Sequence, residues 1–102
     1  MALSEVNYNK KNFELSYSLI NPAAKKEILF LHGWGSNKEI MQQAFKEHLK
    51  DFKQIYLDMP GFGNSPNEGV ILTTKDYANI IELFLKKQNF NPAIIAGHSF
   101  GG

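Results

Sequence analysis

Five residues near the end of the sequence, Gly97-His98-Ser99-Phe100-Gly101, carry the pattern G-x-S-x-G. A serine hydroxyl is a weak nucleophile by itself. It becomes useful when a rigid backbone projects it toward a base and toward donors that can hold an oxyanion. A sharp bend after a strand does this, and glycines two residues to either side let the bend close without colliding with neighbouring backbone. The preceding residues, Ala93-Ile94-Ile95-Ala96, are a short apolar run that reads as the buried strand leading in. Ser99 is therefore the candidate catalytic nucleophile, with Gly97, His98 and Gly101 shaping its elbow. The alternative is a turn serine between flexible glycines.

Two other stretches stand at the ends of apolar runs. Leu31-His32-Gly33-Trp34-Gly35 follows Ile28-Leu29-Phe30, and Asp58-Met59-Pro60-Gly61-Phe62-Gly63-Asn64-Ser65 follows Ile55-Tyr56-Leu57. The histidines, His32, His48 and His98, do not have metal-ligand spacing, and there is no cysteine, so no metal site, thiolate nucleophile or disulfide framework is expected.

Several elements must position these residues. Val6 and Tyr8, then Phe13, Leu15, Tyr17 and Leu19, alternate with polar residues and predict an antiparallel hairpin turning at Asn9–Asn12 and closed by Asn21-Pro22. Ser36 with Glu39 reads as a capping box. Behind it, Ile40, Met41, Ala44, Phe45, His48 and Leu49 fall at helical spacing. His48 is then a packed or partly exposed helix residue. Thr73 with Asp76 starts a second helix whose apolar face is Tyr77, Ile80, Ile81, Phe84 and Leu85, ended by Asn91-Pro92. The order is a hairpin followed by β-α-β-α-β, an α/β class with a mostly parallel sheet.

The composition fits that class. The 102 residues are 43% hydrophobic and 21% charged, with a formal net charge of +1. Such balance gives no electrostatic footprint for nucleic acid or an anionic membrane. No apolar run approaches the roughly 20 residues needed to cross a bilayer, and no signal-peptide pattern opens the chain. The expectation is a soluble, cytoplasmic protein with neither nucleic-acid nor membrane partners.

With the HG-x-G turn, the D-x-P-G-x-G-x-S loop and the G-x-S-x-G elbow in this order, residues 28–102 resemble the esterase-like branch of the α/β-hydrolase superfamily. HGWG and DMPGFGNS are also similar to pimeloyl-acyl-carrier-protein methyl ester esterases. The resemblance implies that Ser99 attacks an acyl carbonyl, with no cofactor, and that the backbone N–H groups of Trp34 and Phe100 form the oxyanion hole. The side chains of Trp34 and Phe100 then line the acyl pocket or pack beneath a loop. His32 and Gly33 support the oxyanion loop, and His32 is not the base. Asp58 organises its loop and is not the triad acid.

The resemblance also implies strand order 1-2-4-3-5 and a triad acid and His that follow Ser99. Residues 1–102 are then the N-terminal portion of a single α/β-hydrolase domain, ending at the elbow. The parent is expected to be a serine hydrolase of a small-molecule ester or related acyl substrate, and the isolated 102-residue chain to be essentially inactive. The last strand would carry an unpaired apolar edge, open to the missing C-terminal half in trans. A serine at the elbow disfavours a haloalkane dehalogenase and leaves C–C bond hydrolases and cofactor-free haloperoxidase-like enzymes open. The contrasting expectation is a non-catalytic fragment or interaction module that pairs through that edge.

Overall fold

The hairpin sets the first edge of the sheet. The computed structural model describes residues 2–32, 37–59, 65 and 72–97. Strand β1 (Ala2–Tyr8) and strand β2 (Lys11–Ile20) pair antiparallel, from Ala2 opposite Tyr17 to Tyr8 opposite Lys11. Only Asn9 and Lys10 make the turn, both at positive φ (51° and 64°), so Lys11 and Asn12 belong to the strand. Two left-handed central residues give the reverse turn whose twist matches paired strands.

Strand β3 (Lys26–Leu31), helix α1 (Lys38–Phe45), strand β4 (Phe52–Leu57), helix α2 (Thr74–Gln88) and strand β5 (Ile94–Gly97) follow. The sheet order is β1-β2-β4-β3-β5, with β3 parallel to both β4 and β5. The expected α/β class and strand order are thus present.

Alternation along the strands divides the core. Phe13, Leu15 and Tyr17 join Leu29, Leu31, Ile55 and Leu57 beneath Tyr77, Ile80 and Phe84 of α2. On the other face, Ile28, Phe30 and Tyr56 pack with Met41 of α1, and the Phe30 and Tyr56 rings stack with centroids 4.6 Å apart. Burying one such side chain contributes about 1.5–3 kcal/mol. Helix α2 begins as expected, with Thr73 and Asp76 exchanging both bonds of a capping box.

Beyond the hairpin turn, four further features differ from the sequence reading. Asn37, not Ser36, caps α1, its side chain accepting from Ile40 N–H; Ser36 lies outside the described residues. Helix α1 stops at Phe45, because Gln54 Nε2 donates to the carbonyls of Lys46 and Leu49 and draws the chain into a turn. His48 is therefore an exposed turn residue, and Ile40, Ala44 and Phe45 are also exposed. Helix α2 ends at Asn89, which takes the left-handed cap conformation with φ 58°, two residues before Asn91-Pro92.

The fourth difference concerns β5, which runs from Ile94 to Gly97 and is not buried. Ile94 and Ile95 are 48% and 58% exposed, because α1 and α2 pack over the other strands and β5 pairs only with β3 among the described elements. An edge strand was expected there, and an edge strand is found. No helix among the described residues is long and apolar enough to cross a membrane.

Candidate active site

Parallel strands bring their carboxyl ends to one side of a sheet, where open α/β folds bind ligands. Leu57 of β4 is level with Leu31 of β3, and Leu31 with Gly97 of β5. The chain leaves these three ends as Asp58, His32 and His98. Neighbouring strands stand about 4.8 Å apart, so the β4 and β5 exits are separated by about 10 Å with the β3 exit between them.

His32 is fully buried, and its Nε2 accepts a hydrogen bond of 2.9 Å from the backbone N–H of Met59. An imidazole nitrogen that accepts carries no proton, so in this arrangement the ring proton resides on Nδ1. The bond ties the residue after β3 to the second residue after β4.

Asp58 is fully buried too. Its Oδ1 accepts from the backbone N–H of Lys38 at 2.7 Å and its Oδ2 from Lys38 Nζ at 2.8 Å. Lys38 is the first residue of α1, so the carboxylate also lies at the positive end of that helix. The Lys38 ammonium is wholly buried and reaches Glu39 Oε2 at 2.6 Å, whereas the Glu39 side chain is 50% exposed. Burial by itself would lower the Lys38 pKa. Hydrogen bonds and charge from Asp58 and Glu39 outweigh that and hold it above its ordinary value.

Ser65 completes the arrangement. Its hydroxyl donates to the Asp58 carbonyl at 2.8 Å and accepts the Ser16 N–H at 2.9 Å, while Asp58 N–H bonds the Ser16 carbonyl at 2.9 Å. The serine hydroxyl thus bridges β2 to the β4 exit one step beyond the last strand pair, Tyr17 with Leu57.

Of the residues singled out in the sequence, His32 and Gly97 stand on adjoining strand ends. Gly33, Trp34, His98, Ser99, Phe100 and Gly101 lie outside the described residues. His48 precedes the start of β4 and so sits at the opposite end of the strands from Asp58. Among the described residues no three His, Asp or Glu side chains form a cluster that could hold a metal ion. Sequence reasoning did not find Lys38, since a lysine opening an amphipathic helix reads as a solvated charge. Ser65 was inside the D-x-P-G-x-G-x-S motif, yet nothing in that pattern names its partners.

Residues 26–102 match the family described as alpha/beta hydrolase fold. This chain belongs to that family. Over 75 residues it is 34% identical to the pimeloyl-[acyl-carrier protein] methyl ester esterase of Pseudoalteromonas atlantica, covering 74% of this chain and 28% of that protein. The protein of the same name from Pectobacterium carotovorum is 32% identical over 80 residues, covering 78% and 29%. The chain thus spans less than a third of the length of these α/β-hydrolase relatives. A thermophilic esterase from Thermogutta terrifontis superposes with a TM-score of 0.85 at 21% identity, over 99% of this chain and 38% of that one. At that identity the likeness is one of fold. The five-stranded sheet with two helices corresponds to the N-terminal part of such α/β-hydrolase structures.

Proposed function

We propose that residues 1–102 are the nucleophile-bearing part of a serine hydrolase that cleaves a carboxylic ester or related acyl substrate. The observation that carries this reading is the register of β3 with β5. Leu31 and Gly97 are partners, so HGWG and GHSFG continue from neighbouring strands at one level of the sheet. That is the arrangement an oxyanion turn and a nucleophile elbow need if they are to meet at one carbonyl.

In this reading Ser99 Oγ attacks the acyl carbonyl and its proton passes to a His supplied, with an Asp or Glu, from outside residues 1–102. The N–H groups of Trp34 and Phe100 hold the oxyanion, each contributing about 3–4 kcal/mol to the transition state. The leaving alkoxide takes the proton from the His, giving an acyl-enzyme at Ser99. Water, deprotonated by the same His, then releases the acid. His32 and Gly33 keep the turn in shape, and the His32–Met59 bond supports that role. The named function of the curated relatives points to methyl esters of acyl groups as the first substrates to try.

The exposed Ile94 and Ile95 favour a second element of the proposal, that β5 receives a further strand from the rest of the enzyme. The same edge is what a non-catalytic interaction module would use. Ester hydrolysis separates the two. In the whole enzyme Ser99→Ala should lower turnover about a millionfold, as loss of a triad nucleophile does. Unchanged hydrolysis in that variant would remove Ser99 from the mechanism.

A further inference from the structure

The side chains of β5 do not by themselves select its register. Ile94 lies opposite Ile28 and Ile95 opposite Leu29, so the two isoleucines point to opposite faces of the sheet, and both are half-exposed. A slip of one residue would set one isoleucine where the other stood, so the apolar pattern that normally specifies register does not discriminate here. The strand is also only four residues long and pairs only with β3 among the described elements. Its level must be fixed by the chain that enters it.

That chain is held at Phe90, Asn91 and Ala93. The Phe90 ring meets Tyr17 and Phe84 edge-on, with centroids 6.1 and 5.9 Å apart, and Lys53 Nζ stands 4.5 Å from its centre. Asn91 N–H donates to Glu27 Oε1 at 2.8 Å, and Ala93 N–H donates to the Glu27 carbonyl at 3.0 Å. Lys53 Nζ lies 3.8 Å from the other carboxylate oxygen, Oε2. Glu27 is thus engaged twice by the incoming chain, immediately before Ile28, the first β3 residue paired with β5.

The carboxylate bond distinguishes one register from its neighbours. A shift of one residue in one direction would bring Pro92 to Oε1, and proline has no N–H to donate. A shift in the other direction would bring Phe90, whose N–H is already donated to the Leu85 carbonyl at the end of α2. Only Asn91 satisfies the carboxylate.

We propose that Glu27 is a positioning residue that sets the register of β5: its carboxylate and its carbonyl hold the Asn91 and Ala93 N–H groups, and Gly97 thereby comes level with Leu31. One step of slip moves Gly97 by about 3.3 Å along the sheet. The consequence for hydrolysis rests on the nucleophile role proposed above for Ser99, two residues beyond Gly97. Glu27 itself stands at the opposite end of β3 and touches no reacting atom.

The test compares Glu27→Ala with Glu27→Gln in the whole enzyme, well below the melting temperature. Glutamine keeps an acceptor oxygen for Asn91 N–H, whereas alanine has none. Register is read from methyl–methyl nuclear Overhauser effects of Ile28 with Ile94 and of Leu29 with Ile95, and turnover from p-nitrophenyl butyrate hydrolysis. In Glu27→Ala both cross-strand effects should weaken or move to new partners. Its kcat should fall about 10- to 100-fold, since misplacement by even 1 Å can cost about a hundredfold, while KM stays within about twofold. Glu27→Gln should stay within about twofold of the parent in both constants and keep both cross-strand effects. A Glu27→Ala enzyme that only melts earlier, with turnover and cross-strand effects intact, overturns the proposal. Equal loss in both variants overturns it as well, because the acceptor would then not be what holds the connection. If Glu27→Ala does not fold, Glu27→Asp, which withdraws the acceptor by one methylene but keeps the charge, is judged by the same readouts. If the unaltered enzyme takes no fluorophosphonate label at Ser99, the serine-hydrolase reading fails, and the cross-strand effects still decide whether Glu27 sets the register.

Discussion

Replacing Lys38 by Met alone should be among the most destabilising single changes at the strand ends. The methionine fills similar volume but leaves the Asp58 carboxylate buried with Oδ2 deprived of its ammonium partner, while Oδ1 keeps the backbone N–H. Breaking a buried pair from one side costs about 3–5 kcal/mol. The Glu39 contact adds little, because its carboxylate is half in solvent and such bridges are worth about 0–1 kcal/mol. In the whole enzyme, where a domain of 150–250 residues loses about 2–4 °C per kcal/mol, the melting temperature should fall by roughly 6–20 °C.

Asp58→Asn in the same background should recover much of that loss, because no charge is then left buried. Urea unfolding followed by circular dichroism, for both single variants and the double, completes the cycle. The sign of the pH dependence follows from the raised Lys38 pKa. The pair's contribution is complete below the ordinary lysine value of 10.5 and is lost as pH rises through the higher folded value. A Lys38→Met variant within about 1 kcal/mol of the parent would refute the reasoning, since it would mean the pair behaves as an exposed one.

Burial pushes the Tyr56 hydroxyl up to about 12 from 10.0. Its neutral form therefore stabilises the fold fully below pH 10, and about 2–3 kcal/mol is lost as pH rises to 12; ultraviolet titration of wild type against Tyr56→Phe measures this. Thr73→Ala removes the cap of α2 and should cost about 1 kcal/mol in a urea midpoint experiment. Ser65→Ala leaves the Ser16 N–H and the Asp58 carbonyl without that hydroxyl and should cost about 1–3 kcal/mol by the same assay. In the 1–102 chain, Ile95→Lys should reduce self-association in sedimentation velocity while changing stability by less than about 0.5 kcal/mol, because the side chain is 58% exposed on an edge strand.

The sequence was most legible where one short-range rule governs. Alternation at Phe13, Leu15 and Tyr17 and the Thr73–Asp76 capping box announced β2 and the start of α2, and the apolar runs announced β3 and β4. It was least legible where distant groups decide. Gln54, a strand residue, ends α1 early and turns His48 outward, which helical spacing around His48 cannot reveal. The αL cap at Asn89 competes with the more obvious Asn91-Pro92 stop. Within the candidate site, His32 could be assigned to loop support only through family resemblance, and no local pattern encodes its bond to Met59 N–H. The partnership of Lys38 with Asp58 spans twenty positions in sequence and no local pattern encodes it.

The central claim is that Ser99 is the nucleophile of an acyl-transfer site completed from outside residues 1–102. Intact mass after exposure to a fluorophosphonate tests it most directly. A chain that carries residues 1–102 together with the acid and base should gain one adduct, mapped to Ser99 and absent from Ser99→Ala, while residues 1–102 alone should gain none. A folded, ester-hydrolysing protein whose Ser99 stays unmodified, or whose adduct maps elsewhere, would contradict the account.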